Sequence, residues 1–278
     1  MRVYILNDTE KAVPKKKPHF GCQLVMETFR EQLNRVGIEL VATISGRVRV
    51  FDHLDDADLI IVNGEGSIHH ENRNELIDVA ERYPCVLLNA VYQENAYRPG
   101  LEAFKKITVR ESRSQAALRD LNLKSSVVPD VIFSSQRVAQ FKDERAGNRL
   151  HSVRRCLLPM WRRVGQTDDV LNEERGFSAR TDAETYLRKV SGYDAICSGR
   201  FHTAVIAACL DIPFAAWPSN THKIEGMLED MDAEGLMGAN PRDARSRIPE
   251  KSPEAITRFV GRAKELIDAQ FEELWSFT

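Results

Sequence analysis

The sequence has little of what marks a membrane-spanning, secreted or nucleic-acid-binding protein. It contains no apolar run near the ~20 residues that a bilayer-spanning helix needs. Its first residues, MRVYILND, lack the apolar core and small-residue cleavage site of a signal peptide. The formal net charge of −2 gives no reason to expect nucleic acid as a partner. We therefore expect a cytoplasmic protein without a membrane span, and peripheral association with a membrane surface stays open.

Cysteine is also scarce, with five in 278 residues and no CxxC pair: Cys22, Cys85, Cys156, Cys197 and Cys209. An odd, scattered set excludes a disulfide framework and lacks zinc-finger spacing, so we expect reduced core residues. The adjacent histidines His69 and His70 lack the spacing of a metal-binding motif as well. The sequence predicts no metal site.

What is present is an alternation of short apolar runs with helical patterns. Such an alternation is typical of an α/β protein with parallel strands flanked by helices. Ligands of these sheets bind beyond the carboxyl ends of the strands. Six candidate strands precede residue 130, at residues 3–6, 38–43, 59–62, 85–89, 104–109 and 127–128.

A glycine-rich turn, Gly64-Glu65-Gly66, follows the third candidate strand. Glycines at that point let a backbone approach a ligand closely. The pattern is not GxGxxG, and Glu65 would repel a neighbouring phosphate. The turn is therefore consistent either with a ligand site or with packing alone, and His69 just beyond it is a candidate to face a cleft.

The stretch 193–224 predicts a site for an anion. A short strand turns at Ser198-Gly199 into a helix that opens with Arg200 and His202. The start of a helix offers unpaired backbone N–H groups to an anion, and arginine adds a planar fork that binds carboxylate or phosphate. Histidine adds a proton that moves near neutral pH. Lys223, after the next strand, is expected at the same sheet edge.

Changes in composition along the sequence suggest where the domains begin and end. Eight basic residues against two acidic ones mark residues 137–163 as a solvated connection or as a basic wall for a polyanionic acceptor. An amphipathic helix near the end docks on the body of the protein or pairs with another subunit in a homo-oligomer. The expected division is a Rossmann-like domain over 1–134, a linker over 135–152, a second Rossmann-like domain over 153–250 and the helix over 251–278.

Five motifs in order resemble the polysaccharide pyruvyl transferase family. They are Gly21 with its helix, the 64–66 turn, Val109-Arg110-Glu111 with Ser114, Pro129-Asp130, and Gly199-Arg200-Phe201-His202 with Pro213 and Lys223. The resemblance implies a GT-B-like fold, in which two Rossmann-like domains face a cleft. It also implies transfer of the pyruvyl group of phosphoenolpyruvate to a sugar hydroxyl of a glycan or glycolipid, which forms a pyruvate ketal. Phosphoenolpyruvate is then a co-substrate, and no other cofactor is expected.

The resemblance also suggests roles for single residues. His202 is the candidate for one proton transfer, and Asp130 or Glu65 for the other. Arg110 is either a ligand residue or a scaffold partner of Glu111 or Asp130. The expected substrate-binding set is Arg200, Lys223, Gly199, Asn220, His222, Arg110, Gly64, Gly66, Ser67 and His69.

Two other functions remain open on the sequence. The family's turn is usually Gly-Gly-Gly, whereas Glu65 stands in the middle here. A glycosyltransferase of the same architecture that uses a nucleotide-sugar donor in cell-envelope polysaccharide synthesis would also place basic residues at a late helix start. A non-catalytic family member that binds a glycan is the third interpretation.

Overall fold

A computed structural model describes residues 1–12, 19–48, 51, 54–66, 68–148, 156–157 and 182–277. The predicted ligand residue Ser67 and most of the arginine-rich stretch beyond 148 lie outside these residues. The chain divides into two compact units. The first comprises Met1–Ala12, Met26–Val131 and Glu265–Thr278, and the second comprises Val13–Val25 and Ile132–Lys264.

The first unit contains the six-stranded parallel sheet that the alternating apolar runs predict. Its strand order is β2-β1-β3-β4-β5-β6, and every neighbouring pair is parallel. The central strands are buried along their whole length, because helices cover both faces of a parallel sheet. The strands are β1 (Arg2–Asp8), β2 (Glu39–Ser45), β3 (Leu59–Asn63), β4 (Cys85–Ala90), β5 (Lys106–Val109) and β6 (Ser126–Val127).

Helices alternate with these strands as expected. The first long helix has its apolar residues at helical spacing, and Gly37 beyond its end adopts the left-handed conformation, with φ of 69°. The helices that begin in the first 130 residues are α1 (Thr9–Ala12), α2 (Phe20–Arg35), α3 (Glu75–Asp78), α4 (Gly100–Ala103) and α5 (Ser112–Asp120). The first turn of α2 belongs to the second unit.

The second unit contains a three-stranded parallel sheet of order β7-β8-β9. Its strands are β7 (Cys156–Leu157), β8 (Ala195–Ser198) and β9 (Phe214–Ala216). In the part of the chain after residue 130 that the structure describes, the α-helices are α6 (Gln136–Asn148), α7 (Ala183–Ser191), α8 (Phe201–Cys209), α9 (Lys223–Asp230), α10 (Pro241–Ser246) and α11 (Glu254–Glu273). A mixed α/β fold with a helix-flanked parallel sheet is therefore confirmed.

Two helices lie where the composition predicts connections. α6 lies in the basic segment after residue 134, and α10 lies within 238–252, which reads as a polar loop. The side chain of Asn240 caps α10 by accepting from the N–H groups of Arg242 and Asp243, each at 3.0 Å. Pro241 follows at the first helical position, which suits a residue that has no N–H to donate. The polar loop prediction was wrong here, because a short capped helix has no apolar stripe to reveal it.

The cysteines whose side chains are described are buried thiols: Cys22, Cys85, Cys197 and Cys209. Burial raises the pKa of the Cys85 thiol to about 12, so this group stays protonated and is a poor nucleophile at neutral pH. Across the described ranges, no helix has the length and apolarity to cross a bilayer. No group of three or more potential ligand residues within those ranges is placed to hold a metal ion.

Candidate functional site

Polar side chains line the carboxyl edge of the six-stranded sheet. Asn7 at the end of β1 and Asn89 in β4 both adopt the left-handed conformation, with φ of 65° and 58°, and are 1% and 2% exposed. Asn7 Nδ2 donates to the carbonyl of Asn63 at 2.6 Å, and Asn63 Nδ2 donates back to the carbonyl of Asn7 at 3.2 Å. Non-glycine residues in this conformation store strain, which is concentrated at functional sites in many proteins. At this edge, hydrogen bonds between Asn7 and Asn63 join the ends of β1 and β3.

The glycine turn at 64–66 has a structural reason for each glycine. A Cβ on Gly64 would lie 2.4 Å from Ala90 Cβ, so any side chain there would collide with β4. Gly66 has φ of 60°, which favours glycine. Between them Glu65 is 4% exposed and accepts from the Thr9 hydroxyl, while its N–H donates to Asn63 Oδ1 at 3.1 Å. Packing thus explains Gly64 and the left-handed backbone explains Gly66, and the contact of either glycine with a ligand stays a prediction.

The loop after this turn is tied to the segment that follows β4. His69 pairs with Gln93 in an isolated bridge, and His70 Nδ1 lies 2.7 Å from a carboxylate oxygen of Glu94. The Tyr92 hydroxyl donates to the carbonyl of Ala96 at 3.2 Å. Burial, with a smaller contribution from Glu71, raises the pKa of Tyr92 to about 12, so the hydroxyl keeps its proton. His69 therefore lies in a loop that backbone and side-chain contacts join to the segment after β4.

Arg110 and Asp130 form an ion pair at the ends of β5 and β6. Arg110 Nη1 lies 2.7 Å from Asp130 Oδ2, and the two side chains are 1% and 0% exposed. The Arg110 N–H also donates to the carbonyl of Ala90 at 2.9 Å. Of the alternatives considered for Arg110, the scaffold pair with Asp130 is the one observed. Ligand contact by Arg110 and catalysis by Asp130 stay predictions.

Glu111 and Ser114 of the third motif form a helix cap. Glu111 precedes α5 and its carboxylate accepts from the N–H of Ser114 at 3.0 Å. The Ser114 hydroxyl donates to the same carboxylate and accepts from the N–H of Tyr92 at 2.9 Å. The motif thus connects the start of α5 to the chain that leaves β4.

Substituting Ser114→Ala should destabilise the protein by about 1–3 kcal/mol, because the buried Tyr92 N–H loses its acceptor and Glu111 loses a donor. Chemical denaturation of both proteins measures this free energy. Ser246→Ala is the matched control, since its hydroxyl bonds to a carbonyl at the exposed end of α10. Equal losses in the free energy of unfolding would show that the buried cap at Ser114 contributes no more to stability than the exposed hydrogen bond of Ser246.

The second unit presents Arg200 and His202 at the start of α8. Arg200 occupies the N-cap position in an extended conformation, and its N–H donates to Ser198 Oγ at 3.0 Å. From Thr203 to Cys209 the helix is buried, whereas Arg200 and His202 are only half-buried. Gly199 is required by packing, because a Cβ there would lie 2.2 Å from the indole nitrogen of Trp217. The predicted cation and titratable group therefore share one helix turn.

The start of α9 lies at the same edge of the three-stranded sheet. β8 and β9 are parallel, with Ser198 opposite Ala216, so the chain leaves both strands on one side. Beyond β9, Lys223 Nζ donates to Asn220 Oδ1 at 2.6 Å, and His222 is the N-cap residue of α9. Lys223 therefore follows a strand that is the parallel neighbour of the strand before Arg200, and its contact with an anion stays a prediction.

His202 also contacts the first turn of α2, which the sequence did not indicate. A Cβ on Gly21 would lie 2.2 Å from His202 Nδ1, so the imidazole lies directly against the glycine. His19, just before α2, accepts from the N–H of Cys22 through Nδ1 at 3.3 Å. The rings of His19 and His202 have centroids 6.2 Å apart and are nearly perpendicular, at 85°. About 180 residues separate His19 and Gly21 from His202 in the sequence, so no local motif indicated this cluster.

Comparisons with known proteins identify the family of this chain. The family model for polysaccharide pyruvyl transferase matches residues 19–217, which include both the 64–66 turn and the start of α8. A crystal structure of a functionally uncharacterised protein from Klebsiella pneumoniae has a similar fold, with a TM-score of 0.53 and 12% identity. That similarity covers 82% of this chain and 87% of the other. No curated protein matches the sequence. Since the family match covers more than half of its residues, the chain belongs to the polysaccharide pyruvyl transferase family.

Proposed function

We propose that this protein transfers the pyruvyl group of phosphoenolpyruvate to sugar hydroxyls of a glycan or glycolipid and forms a pyruvate ketal. The observation that carries the proposal is the turn from β8 into α8. It combines Arg200, His202 and the backbone N–H groups of a helix start. Phosphoenolpyruvate offers the matching chemistry, because it carries a carboxylate and a phosphate on one small molecule.

The donor would bind to the carboxyl edge of the three-stranded sheet. Arg200 supplies two parallel hydrogen bonds to a carboxylate or phosphate, and Lys223 supplies a compact point charge from the neighbouring turn. Asn220 holds the Lys223 ammonium in place at 2.6 Å. The negative charge of the donor would also be attracted to the positive end of the α8 dipole. Without an anion, the positive charge of Arg200 at that end of the helix is unfavourable.

The reaction needs two proton movements, and His202 is suited to one of them. Protonation of the donor's methylene carbon yields the methyl group and an electron-poor carbon, to which a sugar hydroxyl adds. A second hydroxyl of the same sugar displaces phosphate by cleavage of the carbon–oxygen bond. Of the two hydroxyl protons, one balances the new methyl hydrogen and the other leaves on phosphate. Histidine takes up and releases protons near neutral pH, which fits the transfer at carbon.

Glu65 is the better candidate for the second proton transfer. Asp130 is held by Arg110 at 2.7 Å with a side chain that is 0% exposed, and an ion-paired carboxylate is a weaker base. Glu65 accepts from the Thr9 hydroxyl at the edge of the first unit's sheet. This assignment implies a GT-B-like arrangement, in which the first unit binds the acceptor and the second binds the donor. The cytoplasm is the expected compartment.

Incubation with phosphoenolpyruvate and a panel of glycan and glycolipid acceptors tests this function. We expect release of inorganic phosphate that depends on the acceptor. We also expect an acceptor product heavier by the mass of pyruvate less one water. Consumption of a nucleotide sugar with glycosylated product, and no ketal, would instead establish the glycosyltransferase alternative. Binding of glycans without turnover of either donor would indicate the non-catalytic alternative.

A further inference from the structure

The first turns of α2 and α8 are in contact through Gly21 and His202. A Cβ on Gly21 would lie 2.2 Å from Nδ1, 2.6 Å from Cγ and 2.8 Å from Cβ of His202. Gly21 lies inside α2, where alanine is the better residue for the backbone. The helix therefore gains nothing from this glycine, and the volume that the imidazole occupies is the reason for it.

His19 lies beside the same imidazole and is itself fixed. Its Nδ1 accepts from the N–H of Cys22 at 3.3 Å, which ties the ring to the first turn of α2. The ring thereby caps α2 in the place of an asparagine or serine side chain. It meets His202 edge to face, with centroids 6.2 Å apart. The hydrogen bond to Cys22 thus ties the position of the His19 ring to the backbone of α2.

We propose that His19 and Gly21 are positioning residues for His202. Gly21 leaves the space in which the imidazole sits, and the His19 ring fixes the edge against which it rests. The proposal rests on the proposed function of His202 in proton transfer. A displacement of a reacting group by about 1 Å is enough to lower a rate about 10²-fold, so a methyl group at residue 21 should matter to catalysis.

Histidine ring signals in NMR spectra test the contact without any substrate. We expect Gly21→Ala to shift the ring signals of His202 and to leave those of His222, in the same unit, in place. Gly261→Ala is the matched control, because a Cβ there would meet open space in α11. The His202→Gln variant assigns the signal. Unmoved His202 signals in a folded Gly21→Ala protein would overturn the proposal, whatever reaction the enzyme catalyses.

Kinetics test whether Gly21 acts through His202. We expect Gly21→Ala to lower kcat about 10²-fold with little change in KM for phosphoenolpyruvate. In a His202→Ala background the same substitution should cause no further loss of activity. It should there lower Tm by less than in the wild-type protein, because alanine at residue 202 removes the ring atoms at 2.2 Å and 2.6 Å and keeps only the Cβ contact at 2.8 Å. An equal fold loss in both backgrounds would show that Gly21 acts independently of His202 and would overturn the proposal.

Two substitutions at residue 19 separate the cap from the ring contact. His19→Asn keeps an acceptor for the Cys22 N–H, whereas His19→Ala removes both the acceptor and the ring. We expect both variants to lower kcat by about tenfold and only the alanine variant to lower Tm. Full kcat in His19→Asn would mean that the residue caps α2 and does no more, which would remove His19 from the proposal.

Discussion

Replacing Arg200 by alanine is expected to lower kcat/KM for phosphoenolpyruvate about 10²–10³-fold, in the range found when a charge-stabilising donor is removed from an active site. Arg200 is the N-cap residue of α8, whose first backbone N–H groups would attract the same anion. In the proposed donor site, the substitution would remove two charge-assisted hydrogen bonds at once. Initial rates of phosphate release over a range of donor concentrations measure the effect.

Two further variants make the result specific. Arg200→Lys retains the charge without the planar fork, so we expect a loss intermediate between those of wild type and Arg200→Ala. Arg245→Ala removes an exposed arginine from α10 and should leave kcat/KM unchanged. A fall in kcat/KM that is as large for Arg245→Ala as for Arg200→Ala would remove Arg200 from the donor site.

The Arg110→Met substitution is expected to lower the free energy of unfolding by about 3–5 kcal/mol. It leaves the Asp130 carboxylate, with a side chain that is 0% exposed, without the guanidinium that lies 2.7 Å from it. Loss of charge, more than loss of volume, causes the effect, because methionine fills a similar length of space. Equilibrium denaturation gives the free energy, and thermal unfolding gives the accompanying fall in Tm.

Arg188→Met provides the comparison at a surface ion pair. Arg188 and Glu184 lie 3.0 Å apart on α7 with side chains that are 63% and 51% exposed. Exposed pairs contribute about 0.3–0.5 kcal/mol, and the Arg188 guanidinium also lies 5.5 Å from the centroid of the Phe141 ring, so this variant should lose no more than about 1.5 kcal/mol. If Arg110→Met were equally mild, the buried pair could not be the scaffold that joins the ends of β5 and β6.

Much of the first unit was predictable, because its central strands β3 and β4 are short runs that bury every residue. Leu59–Asn63 and Cys85–Ala90 are apolar almost throughout, and their alternation with helical patterns indicated a parallel sheet. The order of the strands and the register of each pair needed the structure. Only the folded sheet shows that Gly64 lies against Ala90, which gives this glycine a packing reason in addition to its predicted contact with a ligand.

In the second unit, the sequence indicated some of the candidate site residues and not others. The motif around Arg200 and His202 was visible, because cation, histidine and helix start are adjacent in the chain. His19 was missed, since a lone histidine beside a glycine carries no local signal for a contact with residue 202. The pairing of Arg110 with Asp130 likewise depends on where β5 and β6 end, which no spacing along the chain reveals.

Thermal unfolding of the wild-type protein and of Arg200→Ala, with phosphoenolpyruvate or a set of nucleotide sugars, tests the central claim most directly. A ligand that binds only the folded state at a hundred times its Kd stabilises a protein by about 2.7 kcal/mol. We expect phosphoenolpyruvate to raise Tm of the wild type by several degrees, to have little effect on Arg200→Ala, and to be the only donor with this pattern. A rise in Tm with a nucleotide sugar and none with phosphoenolpyruvate would contradict the assignment of the donor.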